Sequence, residues 1–357
     1  MGVTGERSAG SIVGDQVVVT ELVGSRPSAV RISDVARAAG VSTATVSRVM
    51  NSAPTVNAQI AARVRAIAEE LSYVPSTTAR SLSLGVTNTI GMIVPDLANP
   101  MFQQILHALN RAAAQDGYQV LVADAQETPD AEPRLIEGIR RRSDAVVLCA
   151  PRMEQDRLEE VLTTVGPAVV INREPVASAA APTVSVDYAM GIQLLLGHLV
   201  ALGHRHVLYL DGPTRSASNR ARRAGLTAFA ATHPSIRIDS IPCGSGLDSG
   251  YLAWDAVQKV GATAVLAFND IVAIGLMGRL REIGVSIPGD ITVVGFDDID
   301  LSRFASPPLT TVTVPLGLLG AAAWLQLSQQ LTGSTPTRHT VFAPALVVRD
   351  SSGPPRS

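Results

Sequence analysis

Apolar residues recur at helical spacing near the start of the chain. One face of a first helix carries Ile32, Val35, Ala36 and Ala39. A second helical pattern runs from Ser42 to about Asn51 and a third from Asn57 to about Leu71, and Ser42 and Asn57 are good N-cap residue types. The pattern predicts a unit of three short helices, which Pro75 ends.

From about residue 87 the pattern changes to short apolar runs that alternate with helical stretches, among them one over Asp248–Val260. The predicted strands are Thr89–Pro95, Gln119–Ala123, Ala145–Cys149, Ala168–Ile171, Val207–Leu210, Ala264–Phe268 and Ile291–Gly295. Fully apolar strands between helices are typical of parallel sheets covered on both faces. About 270 residues is large for one such sheet, so two similar lobes are expected.

Composition excludes several kinds of site. Lys259 is the only lysine among 29 basic residues, and no glycine-rich loop precedes it, which excludes a P-loop NTPase. Cys149 and Cys243 form no C-x-x-C pair, which favours free thiols of a reducing cytosol over a zinc or redox site. His204 and His206 have no carboxylate or thiol pattern beside them. We therefore expect no metal and no cofactor.

No segment resembles a secretory signal or a membrane span. The N-terminal stretch is interrupted by acidic residues, and the most apolar later stretches are Leu194–Leu202 and Leu316–Leu327. Both are shorter than the ~20 residues that a transmembrane helix needs. The expectation is a soluble cytoplasmic protein without a membrane partner.

The charge of the chain is unevenly distributed. The net charge is −2, but residues 29–86 hold six arginines and three acidic residues, which gives +3. Residues 1–28 carry −1 and residues 87–357 carry −4. A cationic excess confined to the small helical unit is what contact with DNA phosphate requires.

The first two predicted helices have the spacing of a helix-turn-helix. Gly40 lies where the turn needs a positive φ. The outward face of the second helix carries Thr43, Ala44, Ser47 and Arg48. The N-terminal part of this helix enters the major groove in such motifs, where short side chains allow close approach and arginine can bind guanine. The alternative is a solvated face in an unrelated three-helix bundle.

A larger set of motifs extends over most of the chain. It comprises Asp34-Val-Ala, Ala39-Gly-Val-Ser, Ala44-Thr-Val-Ser-Arg-Val, Leu71-Ser-Tyr-Val-Pro75, Ala79-Arg-Ser-Leu82, Ile90-Gly-Met-Ile-Val-Pro, Gly203-His204, Phe268-Asn-Asp270, Val293-Val-Gly-Phe-Asp-Asp298 and Pro308-Leu-Thr-Thr311. Together these motifs resemble the lactose-repressor (LacI) family of bacterial transcription regulators, from about Val30 to Ser351.

The resemblance implies an α/β protein: a small all-α helix-turn-helix headpiece and a two-lobed, periplasmic-binding-protein-like doubly wound sensor. The expected divisions are a mobile tail (1–28), a headpiece (29–75), a hinge helix and linker (76–86), an effector-binding domain (87–351) and a second tail (352–357). The N-lobe would comprise about 87–186 and 312–340, and the C-lobe about 187–311 and 341–351.

The resemblance also implies which residues bind DNA. The base-reading positions would be Thr43, Ala44 and Arg48, and the phosphate-contacting positions would be Ser42, Thr45, Ser47 and Asn57. Ala79 and Leu82 would belong to the hinge helix, with Leu82 as an apolar wedge between base pairs in the minor groove. The alternative for Leu82 is an ordinary linker leucine.

Short polar residues follow several predicted strands, at the edge where doubly wound sheets bind ligands. They are Asp96, Asp124, Asn172, Asp211, Asn269 and Asp297. The alternative for each is a cap of the next helix, and we favour that alternative for Asp270 and Asp298. The resemblance assigns to a sugar-binding cleft Phe102, Asn172, Arg222, Asn269 and Asp297. Phe102 could stack on a sugar or belong to the core.

The identity of the effector is left open by two departures from the family. Ser245 and Leu316 stand where some sugar-sensing relatives carry aromatic residues, so a non-sugar effector remains an alternative. The sign of the response, release from DNA or tighter binding, is not written in the sequence.

The predicted function is a homodimeric transcription regulator, most simply a repressor of a sugar-utilisation operon. It would read a near-palindromic operator under the control of a small-molecule effector. The C-terminal segment lacks a leucine heptad, which argues against a coiled-coil tetramer. One rival, a solute-binding protein, would have a signal peptide and no headpiece. The other, an enzyme, is disfavoured because G-x-S-x-G and dinucleotide fingerprints are missing, so no catalytic residues are assigned.

Overall fold

A computed structural model describes residues 30–50, 56–73, 85–174 and 181–356. The chain divides into two compact units, residues 1–83 and 84–357, which are described separately. The predicted N-terminal tail and the hinge positions Ala79 and Leu82 lie outside the described residues.

The first unit contains the three short helices that the apolar spacing predicted. They are α1 (Ile32–Ala39), α2 (Thr43–Met50) and α3 (Ala58–Glu70). Their shared core is made by small side chains, including the fully buried Val35, Val46 and Val64. Gly40, with φ of 62°, ends α1 and turns the chain toward α2. The helix-turn-helix geometry is thus confirmed.

The second unit alternates strands and helices. Its first strands and helices are β1 (Thr89–Val94), α4 (Pro100–Gln115), β2 (Gln119–Asp124), α5 (Glu132–Arg140), β3 (Ala145–Cys149), α6 (Gln155–Val165), β4 (Ala168–Ile171), β5 (Thr183–Val186), α7 (Tyr188–Ala201), β6 (His206–Asp211) and α8 (Ala217–Thr232). The remaining ones are β7 (Arg237–Pro242), α9 (Leu247–Leu252), α10 (Trp254–Val260), β8 (Ala264–Ala267), α11 (Asp270–Glu282), β9 (Thr292–Val294), β10 (Thr311–Thr313), α12 (Leu316–Leu331), β11 (His339–Phe342) and β12 (Ala345–Val347).

Two parallel sheets define two lobes. Within the described residues, the first sheet has the strand order β11-β5-β4-β3-β1-β2 and the second has the order β7-β6-β8-β9. Alternate residues of each strand pack on opposite faces: Met92 faces the cluster that contains α4 and α12, whereas Ile93 faces α5 and α6. Both sheets are covered on both faces, which explains why their central strands are continuously apolar.

The chain passes between the lobes at several points. It leaves the first sheet after β5, returns at α12, which packs on α4, and leaves again after β11. The antiparallel pair of β10 and β12 joins the edge of the second sheet next to β9. Since β11 runs to Phe342 in the first sheet, that lobe extends slightly beyond the segment ending at 340; the exact lobe bounds stay a prediction.

Two parts of the sensor differ from the sequence interpretation. The helix expected over Asp248–Val260 is interrupted at Ala253, which gives α9 and α10. Strands β7 and β11 had no apolar run to reveal them, because they lie at the edges of their sheets and contain only half-buried and exposed positions.

The segment expected to be a C-terminal tail packs against the second lobe. The carbonyl oxygen of Gly353 lies 2.9 Å from His204 Nε2, and Ser352 Oγ lies 2.9 Å from His198 Nε2. Ser351 is fully buried and donates to the carbonyl of Val293. Ser351 to Gly353 is therefore part of the folded sensor.

Candidate DNA interface and effector site

Helix α2 presents the predicted base-reading residues to solvent. Thr43, Ala44 and Arg48 are exposed, whereas Val46 and Val49 on the opposite face are buried. The arrangement leaves the predicted reading face of the helix available to a groove while the other face holds the headpiece together.

The predicted phosphate-contacting residues also stabilise helix ends. Ser42 Oγ accepts from the Thr45 backbone N–H at 3.2 Å and lies 2.9 Å from Thr45 Oγ1. Asn57 Oδ1 accepts from the Gln59 backbone N–H at 2.9 Å and caps α3. Ser47 is half-buried. A substitution at Ser42 or Asn57 would therefore affect the stability of these helix ends.

The headpiece cations are available to DNA. Arg31, Arg48, Arg63 and Arg65 are all exposed. In residues 30–50 and 56–73 the only salt bridge joins Arg37 to Asp34, at 3.2 Å. The excess of positive charge expected from the sequence is thus at the surface of this unit.

All five predicted effector residues meet at one cavity between the lobes. The cavity, called the effector cavity below, is lined by Phe102, Asn172, Arg222, Asn269 and Asp297 among others. Its volume is about 20 Å³, which is room for about one water molecule. A sugar would have to displace lining side chains or separate the lobes.

Arg222 lies at the centre of this cavity. It is 2% exposed, and its Nη2 donates to Asp297 Oδ1 at 3.3 Å. The guanidinium carbon lies 4.4 Å, 4.6 Å and 4.0 Å from the ring centres of Tyr188, Phe268 and Phe296. Cation–π attraction of this kind holds an arginine in place while leaving its N–H groups free to donate. The second lobe supplies this whole cluster.

Buried polar atoms without a hydrogen-bond partner are concentrated at the same cavity. Of six such atoms in the described part of the chain, four belong to Arg222 (Nε and Nη1) and Asn172 (Nδ2 and Oδ1). An unmet buried polar group costs about 1–3 kcal/mol. Such a concentration indicates a binding site whose ligand supplies the missing partners.

Several cavity residues have a left-handed backbone. Ala150, Asn172 and Asp297 follow β3, β4 and β9 and have φ angles of 47°, 55° and 116°. Side chains other than glycine rarely adopt such angles, which concentrate at functional sites. The turns at these strand ends direct Asn172 and Asp297 toward the cleft.

Asp297 is buried beside Arg222. Burial raises the pKa of the Asp297 carboxyl well above its usual range, and the positive charge of Arg222 opposes that shift. Arg222 therefore compensates the buried carboxyl: without the arginine, Asp297 would lie in a site without water and without a positive charge beside it.

Asn269 lines the cavity and is also a structural residue. Its Oδ1 caps α11 by accepting from the Val272 N–H at 2.9 Å, and its Nδ2 donates to the Ser245 carbonyl at 3.0 Å. The capping alternative and the cavity position thus coexist at Asn269. Phe102, 3% exposed, likewise belongs to the core and to the cavity wall.

Asp270 and Asp298, the two aspartates expected to cap helices, make other contacts in the structure. Asp270 follows the cap Asn269, and its Oδ2 accepts from the Ile299 N–H at 3.0 Å and from Ser302 Oγ at 2.6 Å. Burial raises its pKa to about 6, and these hydrogen bonds oppose the shift. Asp298 instead pairs with Arg349 at 2.6 Å. Asp270 and Asp298 therefore stabilise loops of the second lobe by linking them to neighbouring segments.

A second ion pair at the cavity, between a buried arginine and a half-buried glutamate, was missed by sequence reasoning. Arg152 Nε donates to Glu127 Oε2 at 2.7 Å and Arg152 Nη2 donates to Glu127 Oε1 at 2.8 Å. Arg152 is 4% exposed. No motif surrounds either residue, and they lie 25 positions apart in loops after different strands. The sequence signal that could have indicated Glu127 and Arg152 is their position shortly after strands β2 and β3.

The fold and the two sites define a class: a protein with a helix-turn-helix DNA-binding unit and a two-lobed ligand-binding unit. Residues 31–76 match the family model for bacterial regulatory proteins of the lacI family, and residues 196–352 match the periplasmic binding protein-like domain.

Comparison with known proteins shows the family. The HTH-type transcriptional regulator GalR of Salmonella typhimurium is 33% identical over 333 residues, which cover 91% of this chain and 96% of GalR. The chain belongs to the LacI family of bacterial transcriptional regulators. It is a helix-turn-helix DNA-binding protein, as the motifs predicted.

Solved structures agree with this assignment. The lac repressor dimer bound to operator and the anti-inducer ONPF matches with a TM-score of 0.79 and 29% identity, covering 91% of this chain and 99% of that one. The transcriptional regulator CelR in complex with cellobiose matches with a TM-score of 0.66 and 26% identity, covering 92% and 100%. No described helix is long and apolar enough to cross a membrane.

Proposed function

We propose that the protein is a homodimeric repressor of carbohydrate-utilisation genes whose operator affinity is set by an uncharged carbohydrate bound between the sensor lobes. One observation carries the effector site: Arg222 and Asn172, which hold the unpartnered buried atoms, both line the interlobe effector cavity. The protein would act in the bacterial cytoplasm, where the chromosome lies, and would have no catalytic activity.

The chemistry of the cavity suits an uncharged polyhydroxy compound. Each cation on its wall is paired with a carboxylate, Arg222 with Asp297 and Arg152 with Glu127. An anionic effector would find no uncompensated cation in these pairs. Hydroxyl groups both donate and accept, so they can satisfy the amide of Asn172 and the free N–H groups of Arg222. The cellobiose complex of CelR supports a sugar as ligand class.

Control of DNA binding follows from differential affinity. The cavity of about 20 Å³ is too small for a sugar, so the arrangement seen here and the sugar-bound one must differ. A ligand shifts such an equilibrium only by the difference between its affinities for the two arrangements. We propose that sugar binding changes the lobe arrangement, and with it the spacing of two headpieces in the dimer.

The proposed DNA contacts use both the headpiece and the hinge. Thr43, Ala44 and Arg48 would read bases, while Ser42, Thr45, Ser47 and Asn57 would contact phosphate. Ala79 and Leu82 would act in the minor groove at the operator centre, where an apolar wedge bends the duplex. Two headpieces would recognise a near-palindromic site because operator symmetry mirrors protein symmetry. The lac repressor dimer on its operator supports this arrangement.

A substitution at Asn172 tests the effector site with little risk to the fold. Asn172→Gly removes an amide that makes no hydrogen bond and keeps the positive φ permissible. Asn88→Gly is the matched control, because Asn88 also has a positive φ (49°) but is exposed and away from the cavity.

The full-length protein is screened with neutral sugars by thermal shift, and operator binding is followed by gel shift. We expect a sugar that stabilises the wild type and the Asn88→Gly variant but not Asn172→Gly, with operator binding retained in all three. A sugar response that survives in Asn172→Gly would refute the site, and the absence of any sugar response in the wild type would refute the carbohydrate effector.

A further inference from the structure

Charged side chains of the two lobes face each other across the cleft, outside the effector cavity. Glu154 Oε1 of the first lobe lies 3.8 Å from Arg215 Nε of the second lobe. Glu174 Oε1 of the first lobe lies 3.9 Å from Arg220 Nη2 of the second lobe. These distances are too long for hydrogen bonds but lie within the range of ion pairs. The four residues are called the interlobe charge pairs below.

The fold brings the two pairs to the same part of the cleft. Glu154 and Glu174 come after β3 and β4, which are neighbours in the first sheet. Arg215 lies just before α8, and Arg220 lies near the start of that helix. In both pairs the carboxylate belongs to the first lobe and the guanidinium to the second, so both pairs attract the lobes to each other.

A third arginine makes the Glu174 carboxylate necessary. Arg173 of the first lobe is fixed in place, because it donates to the backbone carbonyls of Pro151 and Met153 at 3.0 Å and 2.9 Å. Burial and the nearby positive charge of Arg220 lower the pKa of Arg173, whereas Glu174 opposes that shift. Without Glu174, the positive charges of Arg173 and Arg220 would repel each other across the cleft.

The ion pairs of the effector cavity do not join the lobes. Arg222 and Asp297 both belong to the second lobe, and Arg152 and Glu127 both belong to the first. Within residues 85–174 and 181–356, and apart from the segments in which the chain crosses between the lobes, the interlobe charge pairs are the only ion pairs or hydrogen bonds that link one lobe to the other. Polar closure of the cleft thus depends on these two pairs.

The pair of Glu174 and Arg220 lies at an outer opening of the cleft. Glu174 lines a space of about 170 Å³. Three side chains of that space, Asn172, Tyr188 and Ser218, also line the effector cavity. A compound that reached the cavity through this space would therefore pass Glu174.

We propose that the interlobe charge pairs are an electrostatic latch: they hold the lobes closed over the effector cavity when no effector is bound, and they separate before an effector enters. All four side chains are largely exposed, and an exposed ion pair changes an equilibrium by up to about fivefold. The latch is therefore weak enough for a ligand to reverse. Its effect on DNA binding rests on the proposed function, whereas its effect on lobe spacing does not.

The test exchanges the charges across the cleft in the full-length protein. In a reversed variant, Arg215→Glu with Arg220→Glu makes all four latch positions negative. In a swapped variant, Glu154→Arg and Glu174→Arg are added, which restores two pairs of opposite charge.

The matched control is Arg141→Glu with Arg157→Glu. It changes the net charge as much as the reversed variant does. Both arginines are exposed, however, and each pairs with a glutamate three or four positions away in the first lobe, away from the other lobe.

Lobe spacing is measured as the distance between two spin labels. The labels are attached at Thr163→Cys on α6 and Ala228→Cys on α8, which are exposed positions in different lobes. The background carries Cys243→Ala, and the remaining Cys149 is buried. Excess unlabelled protein is mixed in, so that the measured distances lie within one chain. Operator titrations and thermal melting are carried out on the same variants.

We expect a single short distance in the wild type and in the control. In the reversed variant a longer distance should appear, with the ratio of closed to open molecules at least about tenfold lower, and the swapped variant should recover the short distance. Raising the ionic strength to about 1 M should favour the open arrangement in the wild type and the closed one in the reversed variant, because salt screens attraction and repulsion alike.

If the reversed variant does not fold, Glu154→Gln with Glu174→Gln decides, because it removes the attraction without reversing a charge. An unchanged distance in the reversed variant, an open wild type without effector, or a swapped variant that stays open would each overturn the latch. If the lobes of the reversed variant separate while operator affinity stays at the wild-type value, the latch stands and the coupling to DNA in the proposed function fails.

Discussion

The headpiece and the sensor place their functional side chains in opposite ways. In the headpiece, Thr43, Ala44 and Arg48 lie within one turn and a half of a single helix and are exposed. In the sensor, the proposed effector residues come from segments between residues 102 and 297 and are buried. A buried residue that binds a ligand also supports the fold, whereas an exposed residue outside a helix cap, such as Arg48, contributes little to stability. Substitutions in the effector cavity should therefore lower both stability and ligand binding, whereas substitutions of exposed residues on α2 should lower DNA binding alone.

The largest effect is expected at Arg222. Arg222→Met leaves Asp297 buried without a partner, which should destabilise the sensor by about 3–5 kcal/mol and abolish sugar binding. The measurement is urea unfolding of the full-length protein followed by circular dichroism. Arg157→Met is the control, because Arg157 and its partner Glu160 are both exposed and such surface pairs contribute about 0–1 kcal/mol.

The double variant Arg222→Met with Asp297→Asn sharpens the same comparison. Removing both charges should recover part of the stability that the single variant loses, since no uncompensated charge stays buried. If the double variant is as unstable as the sum of the two single variants, the ion pair does not explain the loss.

At Arg48 the expected pattern is reversed. Arg48→Ala should weaken operator binding by about 1–3 kcal/mol, the value of a good base contact, and change stability by no more than about 0.5 kcal/mol. Fluorescence anisotropy with a labelled operator measures the first quantity and urea unfolding the second. Arg157→Ala, an exposed arginine of the sensor, should change neither. A stability loss at Arg48 comparable to that at Arg222 would contradict the contrast between the regions.

Asn57 is an intermediate case, because it caps α3 and is proposed to contact phosphate. Asn57→Ala should destabilise the headpiece by about 1 kcal/mol and weaken operator binding. Asn57→Asp retains a capping oxygen but adds negative charge beside DNA, so it should keep stability and still weaken binding. Thermal melting and operator titrations separate the two roles. If the Asn57→Asp variant binds the operator as tightly as the wild type does, helix capping is the only role of Asn57.

The smallest effect concerns the histidines that hold the C-terminal segment. Burial lowers the pKa of His198 and of His204 below the ordinary value of about 6.5. Between the lowered and the ordinary pKa the unfolded chain binds more protons than the folded one, so stability rises with pH there and is lost on acidification below about pH 6.5.

The raised pKa of Asp270, about 6, acts in the opposite direction, so the histidine contribution must be measured as a difference. The stability lost by the wild type between pH 7 and pH 5 should exceed that lost by His198→Gln. His107→Gln, at an exposed position of α4, is the control and should match the wild type. If the wild type and His198→Gln lose the same stability between pH 7 and pH 5, His198 does not contribute to the pH dependence.

The reading helix was predictable because its information is local. Helical spacing, Gly40 and the exposed residues of α2 all lie within about 20 consecutive positions, and backbone geometry converts that spacing directly into a face. The effector residues were predictable for another reason: strand ends in parallel sheets converge at one edge, and the family motifs indicated which ends matter.

Other features of the sensor depend on contacts that no local pattern encodes. Glu127 and Arg152 are joined only because the loops after β2 and β3 meet at the cleft. Asp270 binds loop residues 299–302 instead of capping α11, since the preceding Asn269 already does so. The edge strands β7 and β11 are defined by pairing with their neighbours rather than by their own hydrophobicity.

The sequence by itself determined the class of the protein: a three-helix DNA-binding unit, an alternating α/β sensor, and the motif residues of both. Periodicity, capping and turn residues act over a few positions, so they can be read along the chain. The tertiary structure alone decided how the cleft is arranged. It placed Arg222 among three aromatic rings beside Asp297, and it left the Asn172 side-chain amide without hydrogen-bond partners at the effector cavity. Burial, charge pairing and unmet hydrogen bonds are properties of side chains brought together from distant segments.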